Sequence, residues 1–387
     1  MDHDVIVVGG GLVGASLALA LHKGGVHVAL VEAAPPPSFA PRPEYDLRVS
    51  AISPASRRWL SGLGAWPELA AQRACAYERM LVWEADSADR LEFDAGELGL
   101  RELGHIVENG LLLDAVWREL DGVPKYCPAR LGALRLGERS ARITLEDGRA
   151  LESALVIGAD GGASRVRELA GILTYGWSYG QRGIVANVAT ELPHAATAWQ
   201  RFLPSGPLAF LPLADGRCSI VWSANAALAE ELLQLDDAAF RERLGEAFEL
   251  RLGRITGTTP RAAFPLSLQQ AERYSLARLA LVGDAAHVIH PLAGQGVNLG
   301  FQDAESLCAE LLGARAAGKD LGASAHLRRY ERRRKADNAL MAATTDGLSR
   351  LFGSERRLLK FARGRGLGLV NRLGPLKRQL SLQAAGL

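Results

Sequence analysis

The fold of this chain is decided by residues 4–32, which read DVIVVGGGLVGASLALALHKGGVHVALVE. Val5–Val8 form a short β-branched run, which is typical of a strand buried in a parallel sheet. Leu12–Lys23 is rich in alanine and leucine and is followed by two glycines, which predicts a helix that ends there. Val26–Val31 predicts a second buried strand, with Glu32 at its end. The stretch therefore predicts a βαβ unit.

The glycines between the first strand and the helix are spaced as G-x-G-x-x-G, from Gly9 to Gly14. In this motif the first glycine permits a tight turn, the second lets a pyrophosphate approach the backbone, and the third lets the helix pack closely on the strand. The free N–H groups at the helix start face the anion. A carboxylate 23 residues after Gly9 can accept both ribose hydroxyls, which favours an unphosphorylated ribose such as that of FAD or NAD. We therefore assign dinucleotide contacts to Gly9, Gly11, Leu12, Val13, Gly14 and Glu32.

The net charge of +2 hides an uneven distribution along the 387 residues, a length that predicts two or three domains. Nine basic residues and one acid lie between Arg350 and Leu387, so this segment carries +8 and the rest of the chain −6. Apolar residues interleave with the basic ones. Two interpretations stay open: a helix that packs on the body with a solvated basic face, or a surface that docks on anionic lipid or on partner proteins.

The cysteines Cys75, Cys127, Cys218 and Cys308 lie far apart and form no C-x-x-C pair. Their spacing argues against a zinc site or a disulfide framework, so we expect no metal and a reducing compartment. The first residues lack a positive n-region, so we expect no secretory signal. We expect a cytoplasmic location and no nucleic-acid partner, and peripheral contact with the inner membrane stays an open alternative.

A second glycine-rich turn, Gly158–Gly161, follows a predicted buried strand and contains Asp160. Arg165 and Arg167 come shortly after it. An acidic turn followed by arginines fits binding of phosphate or ribose. It fits equally a plain Asp-Gly turn before a solvated helix start.

A third glycine-rich segment begins at Gly283 and also follows a predicted buried strand. Asp284 is placed to bind a polyol chain, and a loop then opens a helix at about Val297. A helix N-terminus stabilises the negative charge that a reduced flavin gathers. His287 and His290 fit either a catalytic role or local hydrogen bonds, because a histidine needs a positioned partner to act as a base.

Residues 175–270 differ in character from the rest. Gly183–Ala189, Leu208–Pro212 and Cys218–Trp222 predict strands of an antiparallel sheet, interrupted by the helical stretch Ala226–Leu250. From Ser324 onward the pattern is helical. This change predicts a second domain built around an antiparallel sheet.

On these motifs the chain resembles the flavoprotein aromatic hydroxylases with the p-hydroxybenzoate hydroxylase fold, and within them it is similar to the ubiquinone-biosynthesis hydroxylases. The similarity extends from residue 4 to about residue 352, and the run from His287 to Gly300 is highly specific for the ubiquinone branch. The matching runs are Asp46–Ile52, Gly158–Arg167, Tyr179–Gln181, Ala198–Pro204, Gly206–Leu213, Gly283–Gly300 and Tyr330–Arg334, the last continuing to Phe352.

The resemblance implies an α/β fold: a Rossmann-like FAD-binding domain with an inserted antiparallel-sheet substrate domain and a helical C-terminus. The implied boundaries place the FAD-binding domain at 1–72, 97–172 and 276–335, the substrate domain at 73–96 and 173–275, and a helical basic tail at 336–387.

The resemblance also implies FAD as the cofactor and NAD(P)H as the electron donor. The implied cofactor-binding residues are Gly9, Gly11, Gly14 and Glu32 for the ADP half, Arg48 beside the flavin, Asp160 and Asp284, Pro291 and Gly294 in the flavin loop, and Gly296, Val297 and Asn298 against the flavin ring.

The implied reaction is hydroxylation of the aromatic ring of a polyprenylated phenol in ubiquinone biosynthesis, through a flavin hydroperoxide formed with dioxygen. Other ubiquinone-biosynthesis proteins are implied partners. Only one dinucleotide fingerprint occurs, so we expect NAD(P)H to bind transiently at the surface. We assign no general base. Three alternatives stay open: hydroxylation of a small soluble aromatic acid, flavin-dependent reduction of isoprenoid double bonds, and a binding role in which FAD is only structural.

The sequence departs from the family pattern after Asn109. The family commonly has an arginine next and a glutamine four positions after the asparagine, near the FAD. Gly110 and Leu113 stand at these positions. Either this cofactor contact is lost or another side chain supplies it.

Overall fold

The computed structural model describes residues 1–36, 38–39, 43–66, 73–84, 90–289 and 296–353. Pro291, Gly294, His290 and residues 354–387 lie outside these residues. In the described part of the chain, twenty strands form three sheets and eight α-helices pack around them. The strands are β1 (His3–Val8), β2 (Val28–Val31), β3 (Val49–Ile52), β4 (Cys75–Tyr77), β5 (Arg79–Glu84), β6 (Arg90–Asp94), β7 (Gly104–Glu108), β8 (Lys125–Tyr126), β9 (Leu131–Leu136), β10 (Ala141–Leu145), β11 (Ala150–Gly158), β12 (Thr174–Thr190), β13 (Thr197–Leu203), β14 (Gly206–Pro212), β15 (Cys218–Asn225), β16 (Ile255–Thr258), β17 (Ala262–Ala271), β18 (Ser275–Leu276), β19 (Leu279–Leu281) and β20 (His287–Val288). The helices are α1 (Leu12–Lys23), α2 (Pro54–Gly62), α3 (Asn109–Arg118), α4 (Arg165–Leu169), α5 (Ala226–Gln234), α6 (Asp237–Ala247), α7 (Gly296–Ala316) and α8 (Ser324–Gly353).

The first sheet has a parallel centre, and it confirms the predicted βαβ unit. Its eight strands include the path β18-β19-β11-β1-β2-β8, in which β1 pairs in parallel with both β2 and β11. The second strand begins at Val28, two residues later than the apolar run suggests. Because β1, α1 and β2 follow one another directly, the carboxyl end of β1 opens on the glycine turn, the position at which open α/β sheets bind ligands.

Helix α1 is apolar on nearly every side because it lies between the first sheet and α7. Its residues from Gly14 to Leu21 are all buried. A Cβ on Gly300 of α7 would lie 2.5 Å from a methyl group of Val13, and a Cβ on Gly24 would lie 2.4 Å from Leu312. Small residues at these two points let the helices approach closely, so α7 begins beside the glycine turn.

The second sheet has nine strands along the path β20-β17-β12-β15-β14-β13-β5-β6, with β16 on β12. Most neighbouring pairs are antiparallel, as predicted, and β13 pairs with β5 in parallel. One face is packed against α5 and α6 through Ile184, Phe210, Trp222 and Phe240, all at most 2% exposed. The opposite face is therefore turned away from these helices.

That opposite face is joined to the third sheet, which has the order β3-β7-β4. Ala51 and Ile106 of the third sheet share an apolar cluster with Ala198, Ala209 and Leu211 of the second. The Asn187 side-chain amide adds a hydrogen bond to the carbonyl of Tyr45, at 2.8 Å. The third sheet therefore links the carboxyl edge of the first sheet to the inner face of the second.

Two details differ from the sequence expectation. The helical stretch Ala226–Leu250 is two helices, because Leu235 is extended and Asp236 accepts a hydrogen bond from the N–H of Ala239 to cap a new start. Strand β13 was not predicted from the sequence, because it has no clean alternation of apolar and polar residues and is largely buried on both faces. The predicted domain boundaries stay predictions, and β20, from the third predicted FAD-binding segment, pairs with β17 of the second sheet.

Candidate active site

The first turn is formed by glycines because its backbone touches a neighbouring strand. Gly9 has a φ of 108°, and a Cβ there would lie 2.3 Å from the carbonyl oxygen of Ala159. A Cβ on Gly14 would lie 2.0 Å from the carbonyl oxygen of Gly9. Both positions exclude any side chain, as the motif requires. Leu12 and Val13 then begin α1 directly after the turn.

Gly11 differs from the other two glycines because the space beside it is open. A Cβ placed on Gly11 would meet no atom within 4 Å, and its φ of −67° is available to any residue. Gly11 is the N-cap of α1, and without a side chain it leaves the first amides of the helix pointing outward. An exposed set of N–H groups at a helix start, with room for a close approach, is the arrangement that binds pyrophosphate.

Glu32 lies at the end of β2, against the same turn. Its carboxylate accepts hydrogen bonds from the N–H of Gly10, at 2.5 Å, and from the N–H of Ala34, at 3.0 Å. The Trp117 indole N–H donates to the carbonyl of Gly10, at 2.8 Å. No motif marks Trp117, a residue within α3, so sequence reasoning could not assign it to this turn. The carboxylate is therefore held at the position where a ribose would meet the glycine turn.

The second turn places Asp160 beside the first. Ala159 packs against Gly9, so the two turns meet at the backbone. Both oxygens of Asp160 bond within its own turn, to the hydroxyl of Ser164 at 2.5 Å and to the N–H of Val166 at 3.0 Å. The carboxylate therefore caps α4, in line with the alternative of a plain Asp-Gly turn, and a direct cofactor contact by Asp160 stays a prediction.

Arg167 joins the second turn to the third. Its guanidinium is buried, at 8% residue exposure, and donates to the carbonyl of Gly162 at 2.7 Å and to the carbonyl of Ala285 at 2.9 Å. Burial lowers the pKa of Arg167, and the charge of Asp160 opposes this effect. Phosphate binding by this arginine was one of the two interpretations that the sequence left open. The structure instead shows a side chain that fixes the spacing of two turns through their carbonyl groups.

The third turn is Gly283–Ala285, shortly after β19. Its Asp284 is exposed, and Arg48, also exposed, lies near it. Nearby protein atoms displace water from the carboxyl group and so raise the pKa of Asp284, and the charges of His287 and Arg48 offset part of this rise. The backbone of Arg48 is held by the N–H of Asn109, which donates to its carbonyl at 3.0 Å. The structure therefore brings two residues distant in sequence to one site, with Asp284 open to a ligand.

Beneath this turn lies a buried polar network that sequence reasoning missed. Asp303 of α7 is fully buried, and one of its carboxylate oxygens lies 2.5 Å from His287 Nε2 and accepts the N–H of Gly283 at 3.1 Å. Its other oxygen accepts from Arg334 Nε at 2.8 Å and from Asn338 Nδ2 at 3.1 Å. Asp303 is one of three acids on α7, with Glu305 and Glu310, and no motif distinguishes it from the other two. His287, 2% exposed, is one partner in this network, and the choice between a catalytic role and local hydrogen bonds stays open.

Burial raises the pKa of Asp303, but the charge and hydrogen bond of His287, followed by those of Arg334, outweigh it. The net result is a pKa held below the usual carboxyl range, so Asp303 is ionised at neutral pH. The ionised carboxylate of Asp303 accepts hydrogen bonds from both the N–H of Gly283 and Arg334, so it connects the third turn to α7 and α8.

The start of α7 is the predicted flavin-contacting segment. Asn298 is 6% exposed, donates to the carbonyl of Ala51 at 2.7 Å and accepts from the N–H of Ser53 at 3.0 Å. The side chain is therefore committed to the end of β3 and the residue that follows it, which leaves the backbone of the helix start for a ring, and the flavin contact of this segment stays a prediction. A Cβ on Gly296 would meet no atom within 4 Å. Val297 is partly buried against the core.

The family departure at position 110 has a local structural reason. A Cβ on Gly110 would lie 2.8 Å from a carboxylate oxygen of Asp46, so a larger side chain would displace Asp46. Leu113, the second departure, is partly exposed on α3. Nearby, Arg73 forms a two-point ion pair with the buried Glu108, at 2.7 and 3.0 Å. Which side chain replaces the family contact stays open.

These residues fit FAD on two independent points. The open glycine and outward amides at the start of α1 suit a pyrophosphate, and the open glycine at the start of α7 leaves backbone groups for a flavin ring. Three turns from distant parts of the chain converge between these two helix starts through Gly9, Arg167 and Asp303.

Comparisons with known proteins agree with this geometry. The family described as FAD binding domain matches residues 130–344, and the family described as FAD dependent oxidoreductase matches residues 4–41. The 3-demethoxyubiquinol 3-hydroxylase of Escherichia coli is 41% identical, with 99% of this chain and 98% of that protein covered. The human mitochondrial ubiquinone biosynthesis monooxygenase COQ6 is 38% identical, with 98% of this chain and 91% of that protein covered.

Solved structures give the same fold. PqsL of Pseudomonas aeruginosa superposes with a TM-score of 0.78 at 25% identity, covering 94% of this chain and 99% of that one. HpxO of Klebsiella pneumoniae, solved with FAD and uric acid, superposes with a TM-score of 0.74 at 20% identity, covering 97% of this chain and 96% of that one. The predicted FAD-binding α/β fold, with its antiparallel sheet and helical C-terminus, is confirmed. The chain belongs to the FAD-binding-domain family and, within it, to the FAD-dependent aromatic hydroxylases of ubiquinone biosynthesis.

Proposed function

We propose that this chain hydroxylates the aromatic ring of a polyprenylated phenol on the route to ubiquinone, with NAD(P)H as electron donor and dioxygen as oxidant. The observation that carries the proposal is the 41% identity, over nearly the whole of both chains, to an enzyme named for hydroxylation of a ubiquinol precursor. A relative named ubiquinone hydroxylase, from Rhodospirillum rubrum, is equally similar.

Bound FAD would supply the transfer of reducing equivalents and the activation of dioxygen. The chain's own contribution is to hold the cofactor. The amides after Gly11 would bind the pyrophosphate, Glu32 would accept the ribose hydroxyls, and Asp284 would accept a hydroxyl of the ribityl chain or lie beside the pyrophosphate. The backbone at Gly296 would place positive partial charge at the flavin ring.

The substrate ring would lie against the inner face of the second sheet. This face shares a cluster with the third sheet, to which Ala51, Ala198, Ala209 and Leu211 contribute, each at most 7% exposed. The apolar character of this face would match a ring that carries an isoprenoid chain and would keep water from the reacting atoms. We assign no general base.

Contact with the membrane belongs to the same proposal, because a polyprenylated phenol partitions into a bilayer. The basic segment 354–387, outside the described residues, carries interleaved basic and apolar residues that would suit contact with anionic lipid or with other ubiquinone-biosynthesis proteins. In the part of the chain that the structure describes, no helix is long and apolar enough to span a membrane.

The test is complementation of strains that are each blocked at one ring-hydroxylation step, with the accumulated quinone precursors identified by mass spectrometry. We expect restoration of ubiquinone in at least one strain, and the strain that is restored identifies the ring position. A Glu32→Ala variant provides the matched negative control. Failure in every strain, by a protein shown to be folded and loaded with FAD, would refute the proposal.

A further inference from the structure

Gln200 is a polar residue in an otherwise apolar row that crosses the second sheet. The strand registers place it beside Val82 of β5 on one side and Ala209 of β14 on the other. Ala209 lies in turn beside Val221 of β15. An amide among these side chains requires an explanation, because burial of a polar group without a hydrogen bond is unfavourable.

The direction of the Gln200 side chain follows from its two neighbours on β13. The ring of Trp199 packs against that of Phe248, one residue after α6, with centroids 6.4 Å apart. Arg201 donates to the carbonyl of Ala247, the last residue of α6, at 2.5 Å. Both side chains therefore lie on the face that α5 and α6 cover. Since successive side chains of a strand point to opposite faces, Gln200 points to the inner face.

The Gln200 side chain is buried and its amide is unpaired. The residue is 6% exposed, and its amide forms no hydrogen bond with any residue that the structure describes. Native proteins pair nearly all buried polar side chains with protein groups, with ordered water or with a ligand. A glutamine amide offers one acceptor oxygen and two N–H donors. Its partner therefore comes from outside the described chain.

The inner face is partly open next to Gln200. Val221 lies on a strand that is paired on both sides, yet it is partly exposed, whereas Trp222 on the opposite face is 2% exposed. Between Val221 and Gln200 stands Ala209, whose short side chain rises least from the sheet. Two strand spacings separate Val221 from Gln200 by about 10 Å. A planar ring that lies over Ala209 therefore has the amide at its edge.

Asn187 and Ser219 show the contrasting case of enclosed polar groups on the same face. They are cross-strand partners, 1% and 0% exposed, and each has a side-chain oxygen without a hydrogen-bond partner in the described part of the chain. The Asn187 amide nitrogen donates to the carbonyl of Tyr45, on the segment that leads to the third sheet. Protein therefore encloses this pair, while the row of Gln200 stays partly open at Val221.

We propose that the Gln200 amide binds the phenolic hydroxyl of the substrate. The phenol O–H donates to the amide oxygen, and the amide N–H groups donate to an oxygen substituent on the neighbouring ring carbon. The apolar row contacts the face of the ring. Because the ring is held at its hydroxyl, it cannot turn in its own plane, so Gln200 determines which ring carbon is presented to the cofactor. The inference rests on the proposed function for the identity of the substrate.

The test compares two ligands on the FAD-loaded full chain: a short-chain prenylated phenol, and the same compound without its hydroxyl. The change in flavin absorbance on ligand binding gives each Kd without turnover. Gln200→Met keeps the length of the side chain and removes its hydrogen-bonding groups. Ser219→Ala removes an unpaired polar group from the enclosed part of the same face, so it is the matched control.

We expect the wild type and Ser219→Ala to bind the phenol about tenfold more tightly than the compound without the hydroxyl, and Gln200→Met to bind both within about twofold of each other. Gln200→Met should melt no lower than the wild type, because an apolar side chain replaces an unpaired amide. A wild type without this preference would overturn the proposal. A Gln200→Met protein that keeps the preference but melts lower would assign the amide a structural role and would also overturn it.

The products of turnover distinguish failure of this inference from failure of the proposed function. Gln200→Met should give more than one ring-hydroxylated isomer and less product per NAD(P)H oxidised, whereas the wild type should give one isomer. One and the same isomer from both proteins would refute the role of Gln200 and leave the proposed function standing. A wild type that prefers the phenol through Gln200 yet hydroxylates none would refute the proposed function and leave the phenol site supported.

Discussion

Replacement of Gly11 by alanine separates cofactor binding from folding. The new Cβ would meet no protein atom within 4 Å, and the φ of −67° and ψ of 179° at Gly11 suit alanine. Alanine is a poorer N-cap than glycine, so we expect the apoprotein to lose about 1 kcal/mol or less in its free energy of unfolding. The substitution should instead weaken FAD binding, because the pyrophosphate would occupy the space that the methyl group enters.

The expected rise in the Kd for FAD follows from the hydrogen bonds to the pyrophosphate that would be weakened. A hydrogen bond from a backbone amide to a charged oxygen contributes about 1.5–3 kcal/mol, and displacement of the pyrophosphate would weaken at least one such bond. Since about 1.4 kcal/mol corresponds to a factor of ten, the Kd for FAD should rise about 10- to 150-fold. Titration of the apoprotein followed by flavin fluorescence measures this change, and thermal melting of the apoprotein measures stability.

Two other glycines provide matched controls. Gly313→Ala, in the last turn of α7 with open space around its Cβ, should leave the FAD affinity unchanged. Gly14→Ala should destabilise the apoprotein itself, because its Cβ would lie 2.0 Å from the carbonyl oxygen of Gly9. A Gly11→Ala protein that binds FAD with wild-type affinity would show that the pyrophosphate lies elsewhere, and our account of the first turn would be wrong.

Three further predictions concern the acids of the site. Glu32→Gln should raise the Kd for FAD about tenfold or more, because a neutral amide accepts the ribose hydroxyls less well than a carboxylate; an unchanged Kd in the same titration would remove Glu32 from the ribose site. Asp284→Asn should weaken FAD binding. It should also raise the melting temperature of the apoprotein near neutral pH, but not at pH of about 4 or below, because a raised pKa means that ionisation of Asp284 opposes folding as pH rises. A melting temperature lowered at neutral pH would contradict this. Asp303→Asn should cost about 3 kcal/mol of unfolding free energy, because it removes the buried one of the two carboxylates that pair with Arg334 and leaves only that of Asp337, 3.0 Å away. Because the pKa of Asp303 is lowered, its contribution to the free energy of unfolding of the wild type should be present above pH of about 4 and lost as pH falls through that lowered pKa. Denaturant unfolding that shows equal stability of variant and wild type at neutral pH would refute the role of the network.

The first turn could be predicted from the sequence because its constraints are local. Gly9 and Gly14 are required by contacts within a few residues or with the adjacent strand, and a strand followed by a helix is visible as a change of apolar period. Glu32 follows from the same unit, because the length of a βαβ unit places the end of the second strand beside the first turn. Local geometry therefore accounts for the half of the site that we expect to bind the ADP part of FAD.

The rest of the site depends on contacts between distant residues. Arg167 resembles a phosphate-binding arginine in sequence, yet its partners are two carbonyl groups, one of them 118 residues away. The bonds of Asn298 with Ala51 and Ser53 join residues about 245 positions apart. A single sequence shows no periodic pattern for such pairs, because the packing of the sheets determines which distant residues come into contact.

The buried network under the third turn shows the same limit. His287 was visible as a histidine in a loop, and only the fold shows that Asp303, 16 residues later, is its partner. The family resemblance indicated residues near the flavin but could not distinguish a side chain that contacts the cofactor from one that holds the third turn in place. Asp303 and Arg334 belong to the second kind, since they are buried beneath the turn.

The central claim is that this chain inserts one oxygen atom from dioxygen into the ring of a prenylated phenol. The most direct test supplies FAD-loaded protein, NAD(P)H, a prenylated phenol and isotopically labelled dioxygen, and analyses the product by mass spectrometry. The account predicts one labelled oxygen atom on the aromatic ring, and no product from the Gly11→Ala protein at FAD concentrations that saturate only the wild type. An unlabelled or unhydroxylated phenol, with the isoprenoid chain reduced or with NAD(P)H oxidised without product, would contradict it.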